Sequence, residues 1–268
     1  MAQEKWLVED GPKTIDIETA RTLKVGLIAG QIDIVAHDEP GIRVEVHSVR
    51  GKPLKVSVDG DLVEIDHPLL SWDTWLDVFK QWTGGKARAD VSVMVPRDIR
   101  VKLGVVSASA LLSGVAQGAT LSTVSGDLVV DGVTGDLSLN SVSGEVTVRN
   151  HKGAIVAHSV SGDIAAVGEL TRYDSDSVSG AVLIDTAGIP DDIKVNTVSG
   201  AVTIRLGDDV PASYALNTVG GRLQIGDHSI SGIKGRYTGK WGDLDKRWTD
   251  LRVNTVGGDV SILRTVRA

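Results

Sequence analysis

A Val-Ser-Gly-acid tetrad returns on a fixed clock. The chain reads LSTVSGDLVV at 121–130, LNSVSGEVTV at 139–148 and AHSVSGDIAA at 157–166, one copy every 18 residues. The anchor valines are Val124, Val142, Val160, Val178, Val198, Val219 and Val256, with spacings of 18, 18, 18, 20, 21 and 37. A worn copy, Val106-Ser107-Ala108, stands one period earlier, and Gly126, Gly135, Gly144, Gly153 and Gly162 mark a half-period of nine. Self-similarity at a fixed period is the mark of a stacked architecture. Within the nine-residue unit the apolar residues alternate, as in Leu128/Val130, Leu137/Leu139, Val146/Val148 and Ile164/Ala166. Alternation of period two is that of a strand with one face inward, and the glycine supplies the backbone freedom of a corner.

Two strands and two corners then make one coil. Stacked coils pair edge to edge at about 4.8 Å, and each buries its apolar face only when its neighbours are present. The expected fold is all-β: a parallel β-solenoid, or β-helix, of about 18-residue coils with two short strands per coil, plus one short amphipathic helix. In LNSVSGEVTV, Val142, Val146 and Val148 are expected in the core and Gly144 at the corner. Asn140, Ser141 and Ser143 should satisfy that corner, leaving Glu145 in water. The spacings of 20 and 21 follow from Ile189-Pro190-Asp191-Asp192 and Val210-Pro211-Ala212, which lengthen a corner where proline costs no ladder bond. The gap of 37, holding SISGIKGRYTGKWGDLDKRW, reads as one irregular coil plus a loop projecting at about 229–250.

Residues 1–104 repeat less cleanly. Arg43-Val44-Glu45-Val46, Lys55-Val56-Ser57-Val58 and Asp90-Val91-Ser92-Val93 alternate between turn signals, so this N-terminal β region is expected to continue or cap the regular repeats of 105–268. One segment breaks the pattern. In PLLSWDTWLDVFKQWTGGKAR, Ser71 suits an N-cap and Trp72, Trp75, Leu76, Phe79 and Trp82 share one helical face. This predicts a helix over about 70–83.

The Val-Ser-Gly-acid units from Val106 to Gly221, with Asn217-Thr218-Val219-Gly220-Gly221 and Asn254-Thr255-Val256-Gly257-Gly258, resemble a bacterial adhesin-like β-strand-repeat family of unknown function. The tail GIKGRYTGKWGDLDKRW followed by LRVNTVGGDVSI is similar to actinobacterial members. The resemblance implies the solenoid fold and, for some relatives, a link to cell-envelope stress.

Several chemistries compete for the motif. A phosphate loop would lead into a helix N-terminus, whereas every unit here leads into an alternating strand and carries an acid. Calcium needs six to eight converging oxygens, and there is one acid per nine residues, replaced by Ala181, Ala201 and Arg222 in later copies. His37, His47, His67, His151, His158 and His228 follow no ligand spacing, and a chain with no cysteine has no thiolate zinc motif. No GxSxG elbow occurs. The reading is therefore a non-enzymatic structural or interaction protein without cofactor or metal. A self-assembling, bactofilin-like scaffold is the alternative, and a polysaccharide-binding or polysaccharide-active β-helix a more distant one.

The net charge of −7 gives no footprint for nucleic acid and disfavours adhesion to anionic lipid. The opening MAQEKWLVEDGPKTIDIE has no apolar signal region and no run of 18 apolar residues occurs, so a cytoplasmic location is expected. Partner contact, by an unknown protein or by self-association, is assigned to Trp72, Trp75, Phe79, Trp82 and Trp241. Tryptophan suits both protein and membrane interfaces. Asp73 and Asp77 on the polar side of the expected helix favour a protein over a membrane surface.

Overall fold

Alternation decides which side of each strand faces inward, and strand pairing follows from it. The computed structural model describes residues 4–67, 87–226, 228–230 and 235–265. Every regular element among the described residues is a strand. The expected helix with Trp72, Trp75, Phe79 and Trp82 lies outside the described residues. Compactness divides the chain into Met1–Leu128 and Val129–Ala268; the division expected at 104/105 falls inside a strand.

The first unit holds β1 (Glu4–Val8), β2 (Lys13–Ile17), β3 (Thr22–His37), β4 (Ile42–Arg50), β5 (Leu54–Asp59), β6 (Leu62–Asp66), β7 (Arg88–Pro96), β8 (Arg100–Ser113) and β9 (Ala119–Thr123). The long strands β3 and β8 run parallel, Thr22 opposite Arg100 and Val35 opposite Ser113. β3 has different partners along its length. Its first half pairs with β6 and its second with β7, both parallel. The outer strands reverse: β5 and β1 add antiparallel beyond β6, and β4 and β2 antiparallel beyond β7. Lys24 and Lys55 close on Glu64 at 2.9 and 3.3 Å. Burial raises the Glu64 pKa, but the two lysines outweigh it and hold the carboxyl below its usual value.

The second unit is a run of coils. β10 (Leu128–Asp131) leads to β11 (Leu137–Ser141), β12 (Val146–Ser159), β13 (Ile164–Ser177), β14 (Val182–Thr186), β15 (Asp192–Thr197), β16 (Val202–Gly207), β17 (Ala212–Thr218) and β18 (Leu223–Ile225). It closes with β19 (His228–Ile230), β20 (Gly235–Trp241), β21 (Thr249–Thr255) and β22 (Val260–Thr265). Strands of successive coils pair parallel and in register: Ser141 opposite Ser159, Ser159 opposite Ser177, Ser177 opposite Thr197. Val146, Val148, Ile164, Ala166, Val182 and Ile184 form the inward rows of one sheet, each at most 2% exposed, and each buried Val, Leu or Ile is worth about 1.5–3 kcal/mol.

The interval of 37 is not an irregular coil with a projecting loop. β20 returns antiparallel along β17, Ala212 opposite Trp241 and Thr218 opposite Gly235, and β19 does the same along β18. The chain then re-enters the stack. β21 lies between β15 and β17, parallel to both, and β22 between β16 and β18. The order of coils in space is therefore β13, β15, β21, β17, not the order of the sequence.

Candidate interaction edge

The residue before the motif valine points inward and closes the corner. Ser141, Ser159, Thr197, Thr218 and Thr255 are buried. Their hydroxyls bond the glycine three residues on, donating to its carbonyl (Ser141 Oγ to Gly144 O, 2.7 Å; Ser159 Oγ to Gly162 O, 2.8 Å) or accepting its N–H (Gly200 to Thr197, 3.1 Å; Gly258 to Thr255, 2.9 Å). Such local side-chain bonds hold the turn without help from a ladder.

The glycine itself answers to packing, not to conformation. None of Gly162, Gly180, Gly200, Gly221 and Gly258 has a positive φ. A Cβ on Gly180 would stand 2.0 Å from Gly162 O, one on Gly200 1.9 Å from Gly180 O, and one on Gly258 2.0 Å from Gly200 O. Each corner rests directly on the carbonyl of the one before it. The expectation that this glycine supplies backbone freedom is thus replaced by a steric one.

The motif acid is engaged as well. Asp163 Oδ1 accepts the Ala181 N–H at 2.7 Å, and Asp259 Oδ1 the Arg222 N–H at 2.8 Å. In both pairs the acid serves the neighbouring coil that lacks one.

The motif valine does not belong to the core. Val142 is half-buried, and Val160, Val178 and Val198 are each 49% exposed, Val256 54% and Val219 64%. The hydroxyl residue has taken the inward position, which turns the next side chain out. In stacking order Val142, Val160, Val178, Val198, Val256 and Val219 form one straight row, about 24 Å long at the coil spacing.

Beside it runs a second row. His158 Nδ1 lies 3.6 Å from Asp176, Asn196 Nδ2 donates to Asp176 at 2.8 Å, Asn254 to Asn196 at 2.8 Å and Asn217 to Asn254 at 2.6 Å. These side chains bond one another from coil to coil, not the corner backbone. Beyond them Lys194 and Arg172 pair with Asp174, and Arg252 with Asp192.

Trp241, assigned from sequence to partner contact, is 43% exposed and already engaged. Its Nε1 donates to Asp208 O at 3.0 Å, and Arg264 lies over its ring at 5.1 Å and over that of Tyr214 at 5.7 Å. Arg264 also donates to the carbonyls of Gly207 and Val210 at 2.9 and 2.7 Å, and to the Tyr214 hydroxyl. Burial pushes the Tyr214 pKa up, partly offset by Arg264.

The histidines do not converge. His47 Nε2 lies 2.8 Å from Ser92 Oγ. His151 is buried with Nδ1 2.7 Å from Val133 O. His67 is buried in the first unit, and desolvation, helped by Lys52, lowers its pKa to about 4. Among the described residues no three metal-ligating side chains gather, and no helix is long and apolar enough to cross a membrane.

The fold recurs in a solved structure. A candidate lipid binding protein from Parabacteroides distasonis aligns over 96% of this chain and 98% of its own, at 13% identity and a TM-score of 0.55. A candidate adhesin from Bacteroides fragilis aligns over 94% and 97%, at 12% identity and a TM-score of 0.48. A second candidate adhesin, also from Parabacteroides distasonis, aligns over 98% and 97%, at 14% identity and 0.47. No curated protein matches the chain. The Toastrack DUF4097 family matches residues 20–263, most of both units, and the chain belongs to that family.

Proposed function

We propose that this chain is a non-enzymatic interaction module and that the valine row of the second unit is its docking edge for another protein. One observation carries the reading. Val160, Val178, Val198, Val256 and Val219 stand about half exposed or more in a single line, the most exposed valines among the described residues of the second unit. Contiguous exposed apolar surface marks an interaction site. The flanking amides already bond one another, so what the edge offers a partner is chiefly apolar contact. A row one side chain wide suits the ridge of a helix or an extended segment better than a bilayer, which takes up a broad apolar face. The net charge of −7 disfavours nucleic acid and anionic lipid alike.

A role in cell-envelope homeostasis, exercised from the cytoplasm, belongs to the same proposal and rests on the family resemblance, the actinobacterial-like tail and composition. End-to-end polymerisation of the bactofilin kind is the weaker alternative. β20 covers the edge of β17 with Gly235, Arg236, Gly239 and Lys240, and charges and glycines on an edge strand discourage further pairing.

The test is Val160→Asp/Val178→Asp/Val198→Asp in the full chain, with a photo-crosslinker placed at Val256. The wild-type edge should capture a protein partner that the aspartates abolish while thermal unfolding stays the same. Capture that survives all three aspartates overturns the proposal, and so does vesicle binding lost in the same variant without any captured protein.

A further inference from the structure

The second unit contains a coil that sits in a slot. β15–β16 and β17–β18 are consecutive in the chain, joined by Asp208–Pro211, yet they are separated in space by the coil β21–β22. Without that coil the edges of four strands would be open, two on each side of a gap one coil thick.

We infer that this slot is an acceptor site for the β21–β22 coil of a second copy of the chain, so that copies assemble by exchanging this coil. The recognition is repetitive and therefore transferable. Residues 217–221 and 254–258 both read Asn-Thr-Val-Gly-Gly. The inserted coil is held by contacts of the stack itself: Asn254 donates to Asn196 and accepts from Asn217, Gly258 rests on Gly200 O, and Gly221 rests on Gly258 O. Three further ties join the coil or the residues leading into it to the walls of the slot. Thr249 Oγ1 donates to Pro190 O at 2.8 Å, Arg247 pairs with Asp191 at 2.9 Å, and Arg264 reaches the carbonyl of Gly207 at the end of β16 and that of Val210 in the connection that spans the gap. A second copy brings every one of these groups.

The hinge is also present. Gly242–Trp248 joins β20 to β21 without a strand, carries Asp243, Asp245, Lys246 and Arg247, and is exposed at all positions but Leu244. Gly242 has a φ of 71°. Seven residues reach at most about 25 Å when extended, enough to carry the coil out of its own stack. Elements docked through a short hinge into a repetitive site are the usual currency of domain exchange. The inserted coil meets the valine row only at Val198 and Val219, so aspartates at Val160 and Val178, outside the slot, leave exchange unchanged.

The chain has no cysteine, which makes a disulfide test clean. Asn196 and Asn254 are register partners on neighbouring parallel strands, within the reach of a disulfide. The double variant Asn196→Cys/Asn254→Cys, refolded dilute and oxidised, should close within one chain and so show that the fold tolerates both changes. The two single variants are then unfolded, mixed and refolded together. A cross-linked pair of chains should rise from a trace at about 1 µM to a major species as the protein nears the millimolar effective concentration of a short tether. The control pair is Asn196→Cys with Thr147→Cys, which no exchange brings together. A yield that equals this control at every concentration overturns the proposal, as does a double variant that never forms the link.

Discussion

At the Val-Ser-Gly corner of the second unit, coil after coil places the same residues in the same positions. At the opposite corner no two coils carry the same residues: Arg149–Gly153, Gly168–Thr171, Ala187–Asp191 and Gly207–Pro211 differ in composition. The first corner rests backbone on backbone, so each copy must fit its neighbour and nothing can be inserted. The second corner is free to bulge. It uses positive-φ residues that solve a local turn, namely Gly153 at 143°, Gly188 at 83° and Asn150 at 51°, and it absorbs both proline-containing extensions. A repeat stays uniform where coils touch through the main chain and drifts where they do not.

The largest expected effect separates two glycines of one coil. In Gly180→Ala the new methyl would stand 2.0 Å from Gly162 O. Both sides are backbone, so the cost should be about 3 kcal/mol or more, the upper range for overpacking. Gly188→Ala meets nothing within 4 Å and pays only for its φ, about 1–2 kcal/mol. Urea unfolding of both variants decides it. Equal losses would mean that the Val-Ser-Gly glycine serves conformation after all.

The next effect is a pH dependence at the variable corner. Burial lowers the His151 pKa below the ordinary value of 6.5, with a backbone bond to Val133 partly opposing it. A histidine depressed in the folded state binds its proton more readily when unfolded. Its contribution is therefore complete above pH 6.5 and is lost as the pH falls toward the lowered value. Unfolding free energy measured from pH 7.5 down to 5 should fall less steeply in His151→Asn than in the wild type. An unchanged slope would assign the whole dependence elsewhere, with His67 of the first unit first in line because its pKa is pushed to about 4.

A smaller effect tests the corner hydroxyls. Ser159→Ala removes the 2.8 Å bond to Gly162 O and should cost about 1 kcal/mol. Thr147→Ala, on the half-exposed side of the same strand, should cost less than half of that. A larger loss at Thr147 would move the stabilising role from the corner to the sheet face.

These contrasts show which parts of the molecule the sequence could reveal. Strand alternation gave the sheets, because Val146, Val148, Ile164 and Ala166 obey it and are buried. The need for glycine was legible but its cause was not, since a tight φ and a close backbone contact leave the same letter. The inserted coil was visible only as a spacing of 37. Two copies of Asn-Thr-Val-Gly-Gly fit the same ladder, and sequence order cannot say which lies inside. The amide row was visible as a column of Asn, His and Asp, but whether such a column bonds the corner or itself depends on the lateral register of whole coils. Trp241 could be picked out as an aromatic but not as the residue packed against Arg264.

The smallest expected effect bears on the motif's own first residue. Valine fits the alternation only if the strand is taken to begin at the motif. The buried Ser or Thr before it shifts the phase, and that shift is invisible until Thr197 Oγ1 is seen to accept the Gly200 N–H. Val198→Ser should then change stability by no more than about 0.5 kcal/mol, as at other exposed positions. Val202→Ser, four residues on and 0% exposed, should cost several times as much, because it loses apolar burial and places a hydroxyl in the core. If Val198→Ser proved as costly as Val202→Ser, the valine row would be structural and the docking edge would lose its basis. If it proved neutral, a valine kept in coil after coil without a stabilising role would have to be explained by what it meets outside the chain.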